Sequence, residues 1–273
     1  MGNGAAAEIR SVERIRPVRC DQNSRGPMSD NVQPTVSAAA PTWVDRLVRA
    51  QPEVVLMGPF MVYLLLLGLD RFPDSLRAIP IAIRGVGGLW AVWVLRKYLP
   101  PLGRPHLPLA VVFGCIAAAG WVAGQHLFNS AVTHAGVAGK WYIFDLVEPV
   151  DPRTGISPGA WWSQAVLRIT VAVIIVPIVE ELFWRGFMLR AFIDWHRWDR
   201  VPMGTFTWFS FLGTSLLSVA QHPSNWAVSI FCWMLFNALF YWKRSLLFLI
   251  LVHGVTNLAL YVYVIAWGDW IFW

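Results

Sequence analysis

The distribution of apolar residues divides most of the chain into seven hydrophobic segments, with polar or charged residues between them. A helix of about 20 apolar residues crosses a bilayer, and about 17 is the short limit. The pattern therefore predicts an all-α, polytopic integral membrane helix bundle with about seven transmembrane helices, although six or eight also fit it. The predicted spans are residues 54–69, 79–95, 107–124, 165–183, 204–220, 226–242 and 246–267.

Composition supports a membrane location. Of the 273 residues, 56% are hydrophobic and 14% are charged, and the mean hydropathy of +0.51 is too high for an ordinary soluble domain. Many of the 17 tryptophans lie near the ends of apolar segments, as in an interfacial aromatic belt. The net charge of +6 is modest and needs no nucleic-acid partner to explain it. The three cysteines form neither a disulfide framework nor a CxxC metal pair.

The basic residues lie in alternate loops, which predicts the orientation of the chain. Under the positive-inside rule this arrangement places the N-terminus in the cytoplasm and the C-terminus outside. Residues 1–41 lack apolar periodicity and are predicted to be a disordered cytoplasmic tail. Residues 42–164 would form the N-terminal transmembrane helices, with a long outward loop at 125–159. Residues 165–267 would form a helical core, and residues 268–273 an interfacial tail.

Two adjacent carboxylates, Glu180 and Glu181, end the apolar run 169–179. An ionisable group at membrane depth costs roughly 2.5–3.5 kcal/mol, so it rarely occurs there without a task. Glu181 and Arg185 are four residues apart and can pair on one helix face. Glu180 is rotated by about 100° and is predicted to be the free carboxylate. Pro177 removes a backbone hydrogen bond and is a candidate for a bend in the helix.

Three further polar residues follow in apolar surroundings: His222 after the fifth segment, and His253 and Asn257 within the seventh. His253 and Asn257 share a helix face and can present donors to a developing oxyanion. A carboxylate beside a histidine can take a proton from water. Each group also has a structural explanation: a buried ion pair, an interfacial histidine, or an interhelical clamp of about 0.6–2 kcal/mol. Their coincidence within about the last hundred residues favours chemistry.

The EExxxR sequence at 180–185, the later His222, and HxxxN at 253–257 resemble the family of CAAX proteases and bacteriocin-processing intramembrane endopeptidases, also called CPBP or Abi. The resemblance covers about residues 165–267, which would make this segment the catalytic core. Flanking residues resemble the bacterial branch found with exosortase and PEP-CTERM protein-sorting systems. The resemblance implies a multi-pass protein of the bacterial plasma (inner) membrane. It also implies that this protein hydrolyses a peptide bond of a membrane-associated or C-terminally processed protein, in possible contact with sorting machinery.

The resemblance also implies roles for the six residues. Glu180 with His222 would activate water, His253 and Asn257 would form the oxyanion site, and Glu181 with Arg185 would hold the geometry of the carboxylate. One position departs from the family pattern, because Ser218 replaces the phenylalanine of the usual FxxxH motif. Local packing around the histidine is therefore expected to differ.

The requirement for a metal stays open at this point. The family has been described both as metal-dependent and as a metal-free glutamate protease. If a metal such as zinc is present, Glu180, His222 and His253 are its candidate ligands. The sequence has no HExxH motif, so we expect no obligatory metal and no other cofactor.

Two other functions remain possible from the sequence. The first is a non-catalytic membrane scaffold or bacteriocin-immunity protein of the same fold, and the second is a transporter with Glu and His as a proton relay. The predicted spans also pose a geometric question, since Glu180 would lie towards the cytoplasm and His222 near the outer surface. Either the fourth helix continues to about residue 194, or the fifth segment is short, tilted or re-entrant.

Overall fold

The computed structural model describes residues 41–69, 72–73, 76–146 and 148–273. Throughout these ranges the regular structure is helical, without a strand, as the apolar pattern predicted. The tail predicted at 1–41 lies outside the described residues except for Pro41. The α-helices are α1 (Trp43–Ala50), α2 (Val54–Leu67), α3 (Ala78–Leu95), α4 (Leu107–His134), α5 (Pro158–Thr170), α6 (Val176–Glu181), α7 (Leu189–Ala191), α8 (Trp208–Leu217), α9 (Trp226–Lys243) and α10 (Leu246–Trp267).

Each of the seven predicted spans contains a helix, but only some of these helices are long and apolar enough to cross a bilayer alone. Among the described residues these are α3 with its short extension to Tyr98, α4 and α10. Helices α1 and α2 make a fourth candidate only if the pair counts as one span, and they meet at 105°. The predicted fourth span is broken into segments, and the fifth is a short apolar helix, Trp208–Ala220. Seven spans therefore stays a prediction.

Helix α4 is ten residues longer than the sequence pattern predicted. The prediction ended this helix at residue 124 because polar residues follow, but α4 continues to His134. The polar side chains bind one another along the helix: Gln125 Nε2 donates to Asn129 Oδ1 at 2.8 Å, and Ser130 Oγ lies 3.3 Å from His134 Nδ1. Pairs four residues apart stabilise a helix, so polarity alone did not mark its end.

The helix that carries both carboxylates is a continuous run from Pro158 to Ala191 with two π-helical segments, Val171–Ile175 and Leu182–Met188. The first segment lies directly before Pro177. Val176 N–H donates to the carbonyl oxygen of Val171, five residues back, and Pro177 has no N–H. The carbonyl oxygen of Ala172 therefore loses both possible backbone donors, and it becomes an acceptor for another helix.

Helix α10 packs against α4 and against the first π-helical segment at positions where glycine allows close approach. A Cβ atom at Gly114 of α4 would lie 2.6 Å from Cβ of Val255 and 2.9 Å from the carbonyl oxygen of Val252. A Cβ atom at Gly254 of α10 would lie 2.8 Å from the carbonyl oxygen of Val173. Both distances are too short for real contacts, so these glycines set how closely α10 approaches its neighbours.

The substitution Gly114→Ala is expected to destabilise the bundle by about 1–3 kcal/mol, because the added methyl group meets the backbone of α10. The matched control is Gly120→Ala in the same helix, where a Cβ atom meets nothing within 4 Å. This control should stabilise the helix by about 0.5–1 kcal/mol. Urea unfolding of the purified protein in detergent measures both free energies. Equal effects of the two variants would contradict the close packing of α4 on α10.

Candidate active site

Glu181 and Arg185 form the fully buried ion pair that their spacing predicted. Arg185 Nη1 donates to Glu181 Oε1 at 3.1 Å, and both side chains are 0% exposed. His253 Nδ1 lies 2.9 Å from the same oxygen, which connects α10 to this pair. A carboxylate oxygen accepts hydrogen bonds, so Nδ1 of His253 is the donor in this contact. Nε2 is then the nitrogen of His253 that is left to act elsewhere.

A cavity of about 610 Å³ lies beside this buried pair. Glu180, His222, His253 and Asn257 all line it, whereas Glu181 and Arg185 do not. The two adjacent carboxylates therefore face different surroundings, as the helical rotation between them predicted. The structure thus brings four of the six predicted site residues to one cavity and places the other two behind its wall.

Asn257 has a structural bond in addition to its place in the cavity wall. Its Nδ2 donates to the carbonyl oxygen of Ala172 at 2.7 Å, the group that Pro177 leaves without a backbone donor. The amide carries two N–H bonds, so the second remains for a ligand. His253 and Asn257 both clamp α10 to the helix of the carboxylates. The interhelical clamp, which the sequence allowed as a structural explanation for these two residues, is therefore present. A clamp of this kind is compatible with a catalytic role.

His222 reaches the cavity of Glu180 because the fourth predicted helix is longer, and the fifth shorter, than the apolar pattern indicated. The helix of the carboxylates continues to Ala191, close to the expected residue 194, and α8 is short and passes into the 3₁₀ turn Ser218–Ala220. The imidazole lies edge-on between Trp121 and Trp233, with ring centroids 5.2 and 5.4 Å away. Its neighbour Gln221 accepts a hydrogen bond from Trp184 Nε1 at 2.5 Å. This bond joins the turn of His222 to the helix of Glu180.

Ser218, which replaces the expected phenylalanine, is fully buried between α8 and α9. Its Oγ donates to the carbonyl oxygen of Ser215 at 2.7 Å and lies 3.0 Å from Ser229 Oγ. A phenyl ring in this place would meet α9, whereas the small hydroxyl lets the two helices approach and bond. The altered local packing expected from the sequence is therefore a serine–serine contact.

Asn237 of α9 is a site residue that sequence reasoning missed. Its Oδ1 accepts from Arg185 Nε at 3.1 Å, and its Nδ2 donates to Thr214 Oγ1 at 3.0 Å and to Ser215 Oγ at 3.1 Å. The residue is 1% exposed. A chain of buried polar contacts thus runs from α8 through Asn237, Arg185 and Glu181 to His253. An isolated Asn inside the apolar segment 226–242 was the available signal, because a buried amide needs partners.

The substitution Asn237→Leu is expected to destabilise the protein by about 1–3 kcal/mol, because it leaves Arg185 Nε buried without its acceptor. The variant Asn237→Asp keeps an oxygen for Arg185 Nε. It loses the two hydrogen bonds to α8, because the hydroxyl groups of Thr214 and Ser215 already donate to backbone carbonyl oxygens. Because the bond to Arg185 remains, it should still lose less stability than Asn237→Leu. Urea unfolding in detergent measures the free energy of unfolding of both variants. A larger loss of stability for Asn237→Asp would show that the bonds donated by Nδ2 stabilise the protein more than the bond accepted by Oδ1.

The three candidate metal ligands do not form a recognisable metal site. Within the described part of the chain, no group of three or more His, Cys, Asp or Glu side chains is arranged to hold a metal ion. Glu180, His222 and His253 share the cavity, but in this arrangement they do not converge on one point as the ligands of a zinc ion would.

Several cavity residues come from outside the predicted core at 165–267. Tyr63 of α2 and Trp121 of α4 line the cavity, as do Phe272 and Trp273 of the C-terminal tail. The tail predicted to be interfacial therefore forms part of the cavity wall. Sequence spacing offered no signal for these residues, because they approach the site only through the packing of distant helices.

Residues 161–259 match the family model described as Type II CAAX prenyl endopeptidase Rce1-like. Comparisons with curated proteins and with solved structures found no match. The matched segment contains all six residues of the predicted site, together with Asn237 and Ser218. The match supports the resemblance of this segment to the CAAX protease-like family, which the EExxxR and HxxxN sequences predicted.

Proposed function

We propose that the protein is an intramembrane endopeptidase that hydrolyses a peptide bond of a membrane-associated or C-terminally processed protein. The observation that carries this proposal is the meeting of Glu180, His222, His253 and Asn257 at one cavity. These residues come from three separate parts of the chain. The family that the segment 161–259 matches supports a protease, and the apolar helices support its place in a membrane.

In the proposed reaction Glu180 is the general base. Glu180 lines the cavity and is only 7% exposed, so its carboxyl group faces a water molecule in the cavity rather than bulk solvent. Glu180 takes a proton from this water while the oxygen attacks the carbonyl carbon of the substrate. His222 lies in the same wall and is the second group able to carry a proton. General acid–base catalysis of this kind contributes about 10²–10⁴-fold to a rate.

His253 and Asn257 are proposed to stabilise the oxyanion that forms on the carbonyl oxygen. Because Nδ1 of His253 donates to Glu181, Nε2 can donate only when the ring is an imidazolium. The second N–H of Asn257 adds a neutral donor. The tetrahedral intermediate then breaks at the C–N bond. The proton taken from water passes to the leaving amine, and the other product is a carboxylate.

The cellular setting is proposed from the sequence. The basic loops support a cytoplasmic N-terminus, and the flanking residues that resemble the exosortase-associated branch support a bacterial plasma membrane and contact with protein-sorting machinery. The lipid bilayer and a membrane-bound protein or peptide are then the expected partners.

The test is a comparison of membrane-protein C-termini in cells that carry wild type, Glu180→Ala or His253→Ala at matched expression, with a deletion strain as reference. A set of C-termini that forms only with wild type supports a protease and identifies its substrates. If all strains have the same termini while the deletion still has a phenotype, the protein acts as a scaffold and the proposed function is wrong.

A further inference from the structure

Arg168 of α5 contributes a charge to the cavity that the proposed reaction does not use. It lines the cavity of Glu180 and also an adjoining cavity of about 490 Å³, so it lies in the wall that the two share. Among the described residues it forms no ion pair with a carboxylate. An arginine near an apolar bundle is costly without a compensating charge, which points to a ligand.

The guanidinium of Arg168 is held in a fixed orientation by neutral groups. Its Nε donates to Tyr261 Oη at 3.2 Å, and its central carbon lies 4.9 Å from the ring centroid of Trp273. These contacts leave the two terminal amino groups available. Together they form a planar pair of donors that matches the two oxygens of a carboxylate.

The surroundings of Arg168 also limit which end of a substrate can lie there. Besides Glu180, the first cavity is lined by three arginines, Arg77, Arg84 and Arg168, which favour a negative group there. The adjoining cavity is lined by Glu148 and Asp151 as well as Arg77 and Arg168, so an anion bound by Arg168 lies on the side of the first cavity. The adjoining cavity contributes Trp161 and Trp270 beside Arg168, which suits an apolar side chain next to the anion.

We propose that Arg168 binds a carboxylate of the substrate peptide and thereby places the peptide bond to be cleaved beside Glu180. This proposal rests on the proposed function, because a bound carboxylate can position a peptide bond for cleavage only if the protein is an endopeptidase. The carboxylate has two possible sources, the C-terminus of the peptide or an Asp or Glu side chain within it.

The experiment measures binding to the full chain in nanodiscs of phosphatidylcholine, which contributes no net negative charge. The probes are N-acetyl-Ala-Ala-Leu as the free acid, the same peptide as its amide, and N-acetyl-Ala-Asp-Leu amide. Charge-assisted hydrogen bonds predict that the free acid binds about 10-fold to 100-fold more tightly than the amide. Tight binding of the aspartyl amide instead would assign the site to a side-chain carboxylate.

The substitution Arg168→Gln is expected to abolish this preference, and Arg168→Lys to keep part of it, since lysine retains the charge without the planar pair of donors. The matched control is Arg197→Gln. Arg197 also carries a guanidinium, but it pairs with Asp194 at 3.1 Å, and neither residue lines either cavity. This control should leave the preference unchanged.

The proposal is overturned if wild type binds the acid and the amide equally. It is also overturned if Arg168→Gln keeps the preference for the acid over the amide. Dihexanoyl phosphatidylglycerol is the fourth probe. Tighter binding of this lipid than of the peptide acids would show that the site takes a lipid phosphate and would also overturn the proposal. Binding does not depend on hydrolysis, so a preference for the acid in a protein that cuts nothing would contradict only the proposed function.

Discussion

The substitution Glu180→Gln is expected to lower the rate of peptide hydrolysis by about 10²–10⁴-fold, the usual contribution of a general base. Glutamine has nearly the same shape as glutamate but cannot take a proton from water. The carboxyl of Glu180 lines the cavity and forms no ion pair within the described residues. The folded state should therefore tolerate the exchange. The measurement is the turnover of a substrate found by the comparison of C-termini, together with urea unfolding of the same purified protein.

The control for this prediction is Glu53→Gln, which changes a carboxylate at the start of α2 that does not line the cavity. It should leave both turnover and stability unchanged. If Glu180→Gln cuts its substrate at the rate of wild type, Glu180 is not the base. A loss of turnover that is matched by a loss of folded protein would instead point to a structural role.

The substitution Arg185→Met is expected to destabilise the protein by about 3–5 kcal/mol, the usual effect of removing one partner of a buried ion pair. Both Arg185 and Glu181 are 0% exposed, so the carboxylate left behind would be buried with His253 as its remaining hydrogen-bond partner. The removed side chain also leaves Asn237 without its donor. Urea unfolding in detergent measures the loss.

Two comparisons decide whether this loss comes from the buried charge. Arg197→Gln removes an ion pair with Asp194 that is largely exposed, and it should cost no more than about 1 kcal/mol. The double variant Glu181→Leu with Arg185→Met removes both charges and should recover part of the stability, since apolar residues often replace a buried pair without loss. If the double variant is less stable than Arg185→Met alone, the uncompensated carboxylate is not the cause.

Together the two predictions separate adjacent residues with the same side chain. Glu180→Gln should remove activity and keep stability, whereas substitution in the Glu181–Arg185 pair should reduce stability first. The difference arises from a rotation of about 100° between neighbouring helical positions, which turns one carboxylate to the cavity and the other to the interior.

The sequence predicted the Glu181–Arg185 pair correctly because the pair depends only on helical periodicity. It did not predict the length of α4, whose polar end residues bind one another. Pro177 shows which part of a helix break can be predicted from the sequence and which part cannot. Its missing N–H is evident from the sequence, but only the structure shows that the break takes the form of a π-helical segment and that Asn257 binds the carbonyl oxygen left over.

The sequence by itself determined the all-α class, the approximate positions of the apolar helices, the separation of Glu180 from Glu181, and the family that the segment 161–259 resembles. Each of these follows from local spacing along one helix or from short motifs. Only the tertiary structure decided that His222 meets Glu180 at one cavity, that Asn237 supports Arg185, and that Arg168 and the C-terminal tail line the same space. These contacts join residues that are far apart in the chain, and they depend on how closely glycine and serine let the helices approach.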